Sequence, residues 1–324
     1  MKKSFITHTL MIAALAGALV TSGCASGPRS RGGDGGKNSG NTSGASPGNG
    51  EGYGPQASDA NQPPMTYGPE PVQLKPITLV FGPGMARGYA HAGALRALAE
   101  NKIPIAAIYG AEMGSLMGAL YAADSNINTF EWGLIHLKDE AFTAEHGLIG
   151  RFFKSGEQSH GDSQKLEEQL KRIFGKRDIA QAKIPLRIEL QRKSENSPTL
   201  MNKGALVPVL RAAVAGPGFF EPVSINGQSA QGASDSSAVA YLCAEARAES
   251  KGPVILIDTA TNRNDPSAAD LVIRPELDGI GPLDFSKKTE AAFRGKKAVE
   301  DHLPEIKRWV GIQDSNRSQE GTSQ

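Results

Sequence analysis

Two turns between an apolar run and a helix-like segment carry the residues that could do chemistry. The first contains Gly82 and Gly84, and the second places Glu112 between Gly110 and Gly114. Glycine lets the chain turn tightly, and a carboxylate at a helix N-terminus is stabilised by about 0.3–1 kcal/mol. The sequence therefore predicts an acidic group held at a sharp turn, at the positive end of a helix.

The first turn does not have the spacing of a dinucleotide-binding loop. Gly88 follows Gly84 one residue later than G-x-G-x-x-G requires, and no acidic residue ends the second apolar run. We therefore expect no nucleotide cofactor. We also expect no metal ion, because no metal-ligand spacing is found among His91, His136, His146, His160 and His302. His91 is expected to be a packing residue beside Arg87.

The net charge of the chain limits which classes of partner are expected. The chain has 35 Lys and Arg against 34 Asp and Glu, so the field needed for nucleic-acid binding is absent. One modest basic cluster is either a solvated face or a contact for anionic lipid headgroups, and it consists of Lys171, Arg172, Lys176 and Arg177.

The first residues are typical of an exported lipoprotein. Lys2 and Lys3 precede an apolar run over residues 10–20, and small residues lead to Cys24. We predict a signal peptide over residues 1–23 and lipidation of Cys24 by an acyl group such as palmitate, which makes a membrane the first partner. The alternative is a chance cysteine in an ordinary signal peptide. No acidic residue follows at positions 25 and 26, so an outer-membrane location is expected if the cell has two membranes.

Composition divides the rest of the chain. Residues 24–75 are rich in Gly, Ser, Asn and Pro and are predicted to be a disordered tether. Residues 76–310 can bury a core, and residues 311–324 are predicted to be a flexible tail. Within the folded part Cys243 lies in an Ala-rich stretch and is expected to be a small buried side chain.

Apolar periodicity predicts the elements of the folded part. Strands are expected at residues 77–81, 103–109, 186–190 and 254–258, and helices up to 101 and over 113–123, 164–174 and 207–215. Alternation of strands and helices favours a parallel sheet covered on both faces. The predicted fold class is α/β, with a mostly parallel central sheet covered by helices.

Three spaced stretches of the sequence resemble one family. In chain order they read LVFGPGMARGYAHAGAL from residue 79, YGAEMGSLMGALYAA from residue 109 and SAQGA from residue 229. They resemble the glycine loop, the nucleophile elbow and the second catalytic motif of the patatin-like phospholipases. The likeness covers nearly all of residues 76–310 and implies a three-layer patatin-like fold.

The resemblance also implies which catalytic parts are missing. The family's serine nucleophile stands where this chain has Glu112, and its aspartate base stands where this chain has Gln231. The three oxyanion-hole glycines match Pro83, Gly84 and Met85. Proline has no N–H, and Met85 would add a side chain where a substrate oxygen approaches. No catalytic residue is therefore expected.

Glu112 has two interpretations that the sequence leaves equal. Its carboxylate could reach into the old oxyanion hole and act as an internal plug. It could equally be a substitution that the helix dipole merely tolerates after catalysis was lost.

The functional hypothesis is a tethered pseudoenzyme that binds a lipid, a fatty acyl ligand or a partner protein without hydrolysis. The residues expected to line the ligand site are Gly84, Met85, Arg87, Gly88, Gly110, Glu112, Met113, Gly114, Gln231 and Gly232. The alternative is a lipid acyl hydrolase with displaced catalytic residues, a serine among Ser115, Ser234, Ser236 and Ser237 with Asp235 as its base.

Overall fold

The computed structural model describes residues 73–143, 161–192, 198–216, 219–233, 236–262, 266 and 268–312. The predicted signal peptide, Cys24, the tether up to residue 72 and the tail from residue 313 lie outside these ranges, as do His146, His160, Ser234 and Asp235. Every described residue, with the whole sheet and its core, belongs to one compact unit, Gly68–Gln324.

A mixed sheet forms the centre of the described unit. Its strands are β1 (Ile77–Phe81), β2 (Ile105–Gly110), β3 (Leu186–Arg192), β4 (Thr199–Met201), β5 (Val223–Ile225), β6 (Gln228–Gln231), β7 (Val254–Ile257) and β8 (Leu271–Ile273). The spatial order is β5-β6-β3-β2-β1-β7-β8, with β4 also paired to β3. Strands β3, β2, β1, β7 and β8 run parallel, whereas β4, β5 and β6 pair antiparallel.

Helices connect the strands. They are α1 (Ala90–Glu100), α2 (Met113–Ala122), α3 (Ile127–His136), α4 (Ser163–Phe174), α5 (Leu206–Val214), α6 (Ser236–Glu249) and α7 (Lys288–Val310). A 3-10 turn, Met85–Tyr89, precedes α1. None of the described helices is long and apolar enough to cross a membrane.

The sheet separates two apolar clusters. Phe81 and Ile257 belong to the larger one, which the helices other than α6 complete. The neighbouring residues Val80 and Leu256 point to the opposite face of the sheet. There they belong to the smaller cluster, together with Leu242 of α6. Helices therefore cover both faces, and the predicted α/β class with a mostly parallel sheet is confirmed.

The boundaries of the predicted strands and helices agree with the structure to within two residues. Helices α6 and α7, strand β8 and two further features were not among the predicted elements. The antiparallel strands β4 to β6 extend the sheet beyond β3, and α3 lies between α2 and α4. Next to the predicted start of the domain, the Lys75 N–H donates to the Val310 carbonyl at 3.0 Å. The two ends of the domain are thereby tied together.

Candidate functional site

The turn after β2 is a strained elbow. Gly110 ends β2, the Ala111 N–H donates to the Phe81 carbonyl at 3.1 Å, and α2 begins at Met113. Between them Glu112 has φ 48° and ψ −120°. A non-glycine residue in this conformation costs on the order of 1–3 kcal/mol, so the surrounding structure must impose it.

Two glycines make this elbow sterically feasible. A Cβ at Gly110 would lie 2.6 Å from the backbone of Ser115, and a Cβ at Gly114 would lie 2.5 Å from the Phe81 carbonyl oxygen. Both distances are shorter than any tolerated contact. The tight strand-to-helix turn that the sequence indicated is therefore present, and it needs glycine at both positions.

The Glu112 carboxylate is bound by the loop that follows β1. Its Oε2 accepts hydrogen bonds from the N–H of Gly84 at 2.6 Å and of Met85 at 2.7 Å. The residue is only 1% exposed. Backbone donors of this kind stabilise a buried charge, because hydrogen bonds to an ionised group are about twice as strong as neutral ones. The carboxylate thus occupies two N–H groups that converge on one point.

The geometry of Met85 differs from the expectation. Its backbone has φ 45°, so a side chain stands in a conformation that favours glycine. That side chain is 1% exposed and belongs to the larger apolar cluster. The part of Met85 that faces Glu112 is the N–H, while the side chain anchors the loop in the core.

Arg87 holds the loop in place. Its Nε donates to the Thr259 carbonyl at 2.9 Å, and its Nη1 donates to the carbonyls of Leu277 and Ile280 at 3.0 Å each. Gly88 lies against α2, where a Cβ would come within 2.6 Å of the Met113 side chain. These three hydrogen bonds tie the loop to distant backbone, and the ligand contact expected of Arg87 stays a prediction.

The side chains of His91 and Thr259 hydrogen-bond the backbone of the loop that follows β1. The His91 Nε2–H donates to the Gly82 carbonyl at 2.8 Å, and the Thr259 hydroxyl donates to the Pro83 carbonyl at 2.8 Å. The His91 ring stacks on Phe81 with centroids 4.6 Å apart. Burial lowers the pKa of His91 to about 4, so the ring is neutral at pH 7. Its predicted packing role agrees with this position.

Thr259 and the carbonyl groups bound by Arg87 were missed by the sequence analysis. They lie 168–193 residues away from their partners along the chain. Thr259 directly follows the strand predicted over residues 254–258, which is β7 in the structure. The carboxyl ends of parallel strands meet at one edge of a sheet. That edge was the only signal in the sequence that could have pointed to it.

The second motif, around Gln231 and Gly232, lies at the end of β6 and not at a strand-to-helix turn. Gln231 ends β6 opposite Gln191 of β3 and is half-buried. A Cβ at Gly232 would lie 1.8 Å from the Ala213 carbonyl oxygen. The Ala233 N–H donates at 3.1 Å to Glu189, which is fully buried. Among the described residues the Gln231 side chain makes no hydrogen bond, to Glu112 or to any other group.

The alternative nucleophiles are only partly described. Ser115 lies in α2 with 0% exposure, and its hydroxyl has no hydrogen-bond partner in the described part of the chain. Ser237 is exposed in the first turn of α6. Burial raises the pKa of the Cys243 thiol to about 12, so it is not a thiolate at pH 7. Neither buried side chain is placed to attack a substrate.

A family model described as patatin-like phospholipase matches residues 79–267, more than half of the chain. An uncharacterised NTE family protein of Mycobacterium bovis is 26% identical over 159 residues, 47% of this chain and 41% of the relative. A putative patatin-like phospholipase domain-containing protein of Caenorhabditis elegans is 55% identical over 51 residues, 16% of this chain and 5% of the relative. The chain thus spans less than half the length of these relatives.

Two solved structures are also similar. The ExoU–SpcU complex of Pseudomonas aeruginosa matches with a TM-score of 0.39 and 17% identity over 72% of this chain and 52% of that one. VipD from Legionella pneumophila matches with a TM-score of 0.36 and 11% identity over 72% of this chain and 67% of that one.

Proposed function

Because this chain belongs to the patatin-like phospholipase family and yet has Glu112 and Gln231 at the dyad positions, we propose that it is a membrane-tethered pseudoenzyme. Its domain binds a lipid or acyl ligand, or a protein partner, and does not hydrolyse esters. The anchor is the lipid on Cys24, and the membrane is the outer one in a cell with two membranes.

One observation carries the proposal. The N–H groups of Gly84 and Met85 both donate to the Glu112 carboxylate. Acyl transfer needs such donors free for the oxygen that becomes negative in the transition state. Here both donors are already occupied by the Glu112 Oε2 atom. The elbow therefore lacks a nucleophile and is closed at the point where the carbonyl oxygen of an ester would bind.

Closure by Glu112 has a consequence for ligand binding. A ligand that uses the two N–H groups must first displace a buried, doubly bonded carboxylate. We expect Glu112→Ala to raise affinity for fatty acyl ligands, measured by displacement of a fluorescent fatty acid. Unchanged affinity would contradict the role of Glu112 as a plug.

The test of lost catalysis uses residues 68–324 and the double variant Glu112→Ser with Gln231→Asp. Loss of a nucleophile or base costs about four to six orders of magnitude in rate, so the wild-type chain should show no turnover of short-chain esters or phospholipids. The double variant should gain measurable turnover, and Glu112→Ser alone is the matched control without the base. Wild-type turnover that survives Glu112→Ala would establish the alternative, a lipid acyl hydrolase with displaced residues.

The tether is tested separately in cells. Labelled palmitate should be incorporated into the full chain and lost in the Cys24→Ser variant. Incorporation that is unaffected by this substitution would remove the anchor from the proposal and leave the elbow unaffected.

A further inference from the structure

Helix α3 presents two large apolar side chains to solvent. Trp132 is 45% exposed and Ile135 is 64% exposed, one helical turn apart, while Phe130 and Gly133 face the core. Exposed apolar residues are normal when scattered singly, whereas these two are neighbours on one helix face and form a small contiguous apolar surface. We call Trp132 and Ile135 the α3 patch.

The α3 patch continues into a groove between α3 and α4. The groove has a volume of about 440 Å³, and Trp132 forms one wall while Leu120, Ile173 and Phe174 contribute apolar lining. The apolar surface therefore extends beyond the two exposed side chains.

Acidic groups around the patch are neutralised. Glu131 binds Arg96 through two hydrogen bonds of 2.5 and 2.8 Å. On the groove side Asp124 pairs with Arg177 at 2.9 Å. A third acid, Glu167 of α4, pairs with Lys171 at 2.6 Å and with Arg211. These carboxylates consequently contribute little net negative charge to the surface.

Three basic groups near the patch are not held in ion pairs. Lys138 and Arg172 line a shallow hollow with His136, whose ring lies against Trp132 at 4.0 Å between centroids. Lys176 follows at the end of α4. Lys138, Arg172 and Lys176 make no ion pair with any residue in the described ranges. Glu140 and Glu168 in the same hollow match Lys138 and Arg172 in number, so the net positive charge of the rim is that of Lys176.

An apolar centre with a positive rim fits a lipid surface better than a protein. Trp132 and Ile135 expose on the order of 200 Å², about a quarter of the ~800 Å² that each partner buries in a standard interface. A membrane needs no such area, because a tryptophan ring lies favourably at the headgroup level and each nearby cation adds about 1 kcal/mol of attraction to anionic lipid.

We propose that the α3 patch docks the domain on anionic phospholipid, with Trp132 and Ile135 inserted at the headgroup level and Lys138, Arg172 and Lys176 over the lipid charges. This docking is separate from the elbow and from any lipid on Cys24. It would turn a tethered domain into one held flat on a surface.

The experiment uses residues 68–324, which exclude Cys24 and the predicted signal peptide. The chain has two tryptophans, Trp132 and Trp309, so the Trp309→Phe variant reports on Trp132 alone. Its emission should shift to the blue with vesicles of phosphatidylglycerol and phosphatidylcholine and stay unchanged with pure phosphatidylcholine. In co-sedimentation with Trp309 intact, Trp132→Ala with Ile135→Ala should weaken binding about tenfold or more. Phe293→Ala is the matched control, because Phe293 is 68% exposed on α7.

Several outcomes would overturn the proposal. They are equal binding to uncharged vesicles, an equal loss in Phe293→Ala, and no loss in the double alanine variant. Dimerisation of the soluble domain that the double alanine variant abolishes would also overturn it, by assigning the patch to a second copy. Replacement of Lys138, Arg172 and Lys176 by glutamine should remove the salt dependence of binding, and an unchanged salt dependence would refute the role of the basic rim.

Discussion

The elbow and the second motif each have a glycine packed closely against a backbone carbonyl. The side chains beside these glycines, Glu112 and Gln231, differ in burial and in hydrogen bonding. At the elbow, Gly114 packs against the Phe81 carbonyl, and at the second motif Gly232 packs against the Ala213 carbonyl. Glu112 is fully buried and accepts two hydrogen bonds, whereas Gln231 is half-buried and makes none with the described residues.

Both motifs keep their glycines because the backbone there is also part of the packing of the fold. The two substitutions are not equivalent: Glu112 has become an acceptor on which its surroundings depend, and Gln231 has not.

The largest effect should come from adding one methyl group to either of these glycines. Gly114→Ala and Gly232→Ala place a Cβ at 2.5 Å and 1.8 Å from a carbonyl oxygen, so each should lower the free energy of unfolding by about 4 kcal/mol or more. Gly281→Ala is the control, because its Cβ would meet open space. Urea denaturation measures all three. A mild effect at Gly232 alone would mean that only the glycine of the elbow is required by the packing.

The pH dependence of the unfolding free energy should distinguish His91, beside the elbow, from Gln231 of the second motif. His91 has a pKa of about 4 in the folded chain, below its ordinary 6.5, so the unfolded chain binds the proton first as the pH falls. The stability due to neutral His91 is complete above pH 6.5 and is lost as the pH falls to about 4, an effect of about 3 kcal/mol. His91→Gln keeps an N–H donor for Gly82 and should flatten this part of the curve, while Gln231→Ala should retain it. Parallel curves for wild type and His91→Gln would contradict the prediction.

The smallest effect separates the two substituted side chains directly. Glu112→Ala leaves the N–H groups of Gly84 and Met85 without their acceptor and should cost about 2–3 kcal/mol of stability. Gln231→Ala should stay within about 0.5 kcal/mol, as for a surface substitution. Thermal and urea unfolding would measure both. Equal costs would show that Glu112 is tolerated at the elbow and not integrated into it.

The sequence was most informative where the signal was local. Continuous apolar runs predicted β1, β2 and β7, and Gly110 with Gly114 indicated the elbow, because turn geometry depends on neighbours in the chain. The three-residue strands β4 and β5 carry too few residues for a period to be read. The contacts that aim the loop at Glu112, from Thr259 and the Leu277 carbonyl, bring together residues more than 160 positions apart, and no local pattern reports them.

The hydrogen bond between Lys75 and Val310 makes the domain almost a closed ring. A short linker between these residues would allow a circular permutant to be opened elsewhere, for example at the exposed turn around Gly227. It also means that a fluorescent protein fused after residue 312 would begin beside the point where the chain enters the domain. Such a fusion would report on that end of the molecule.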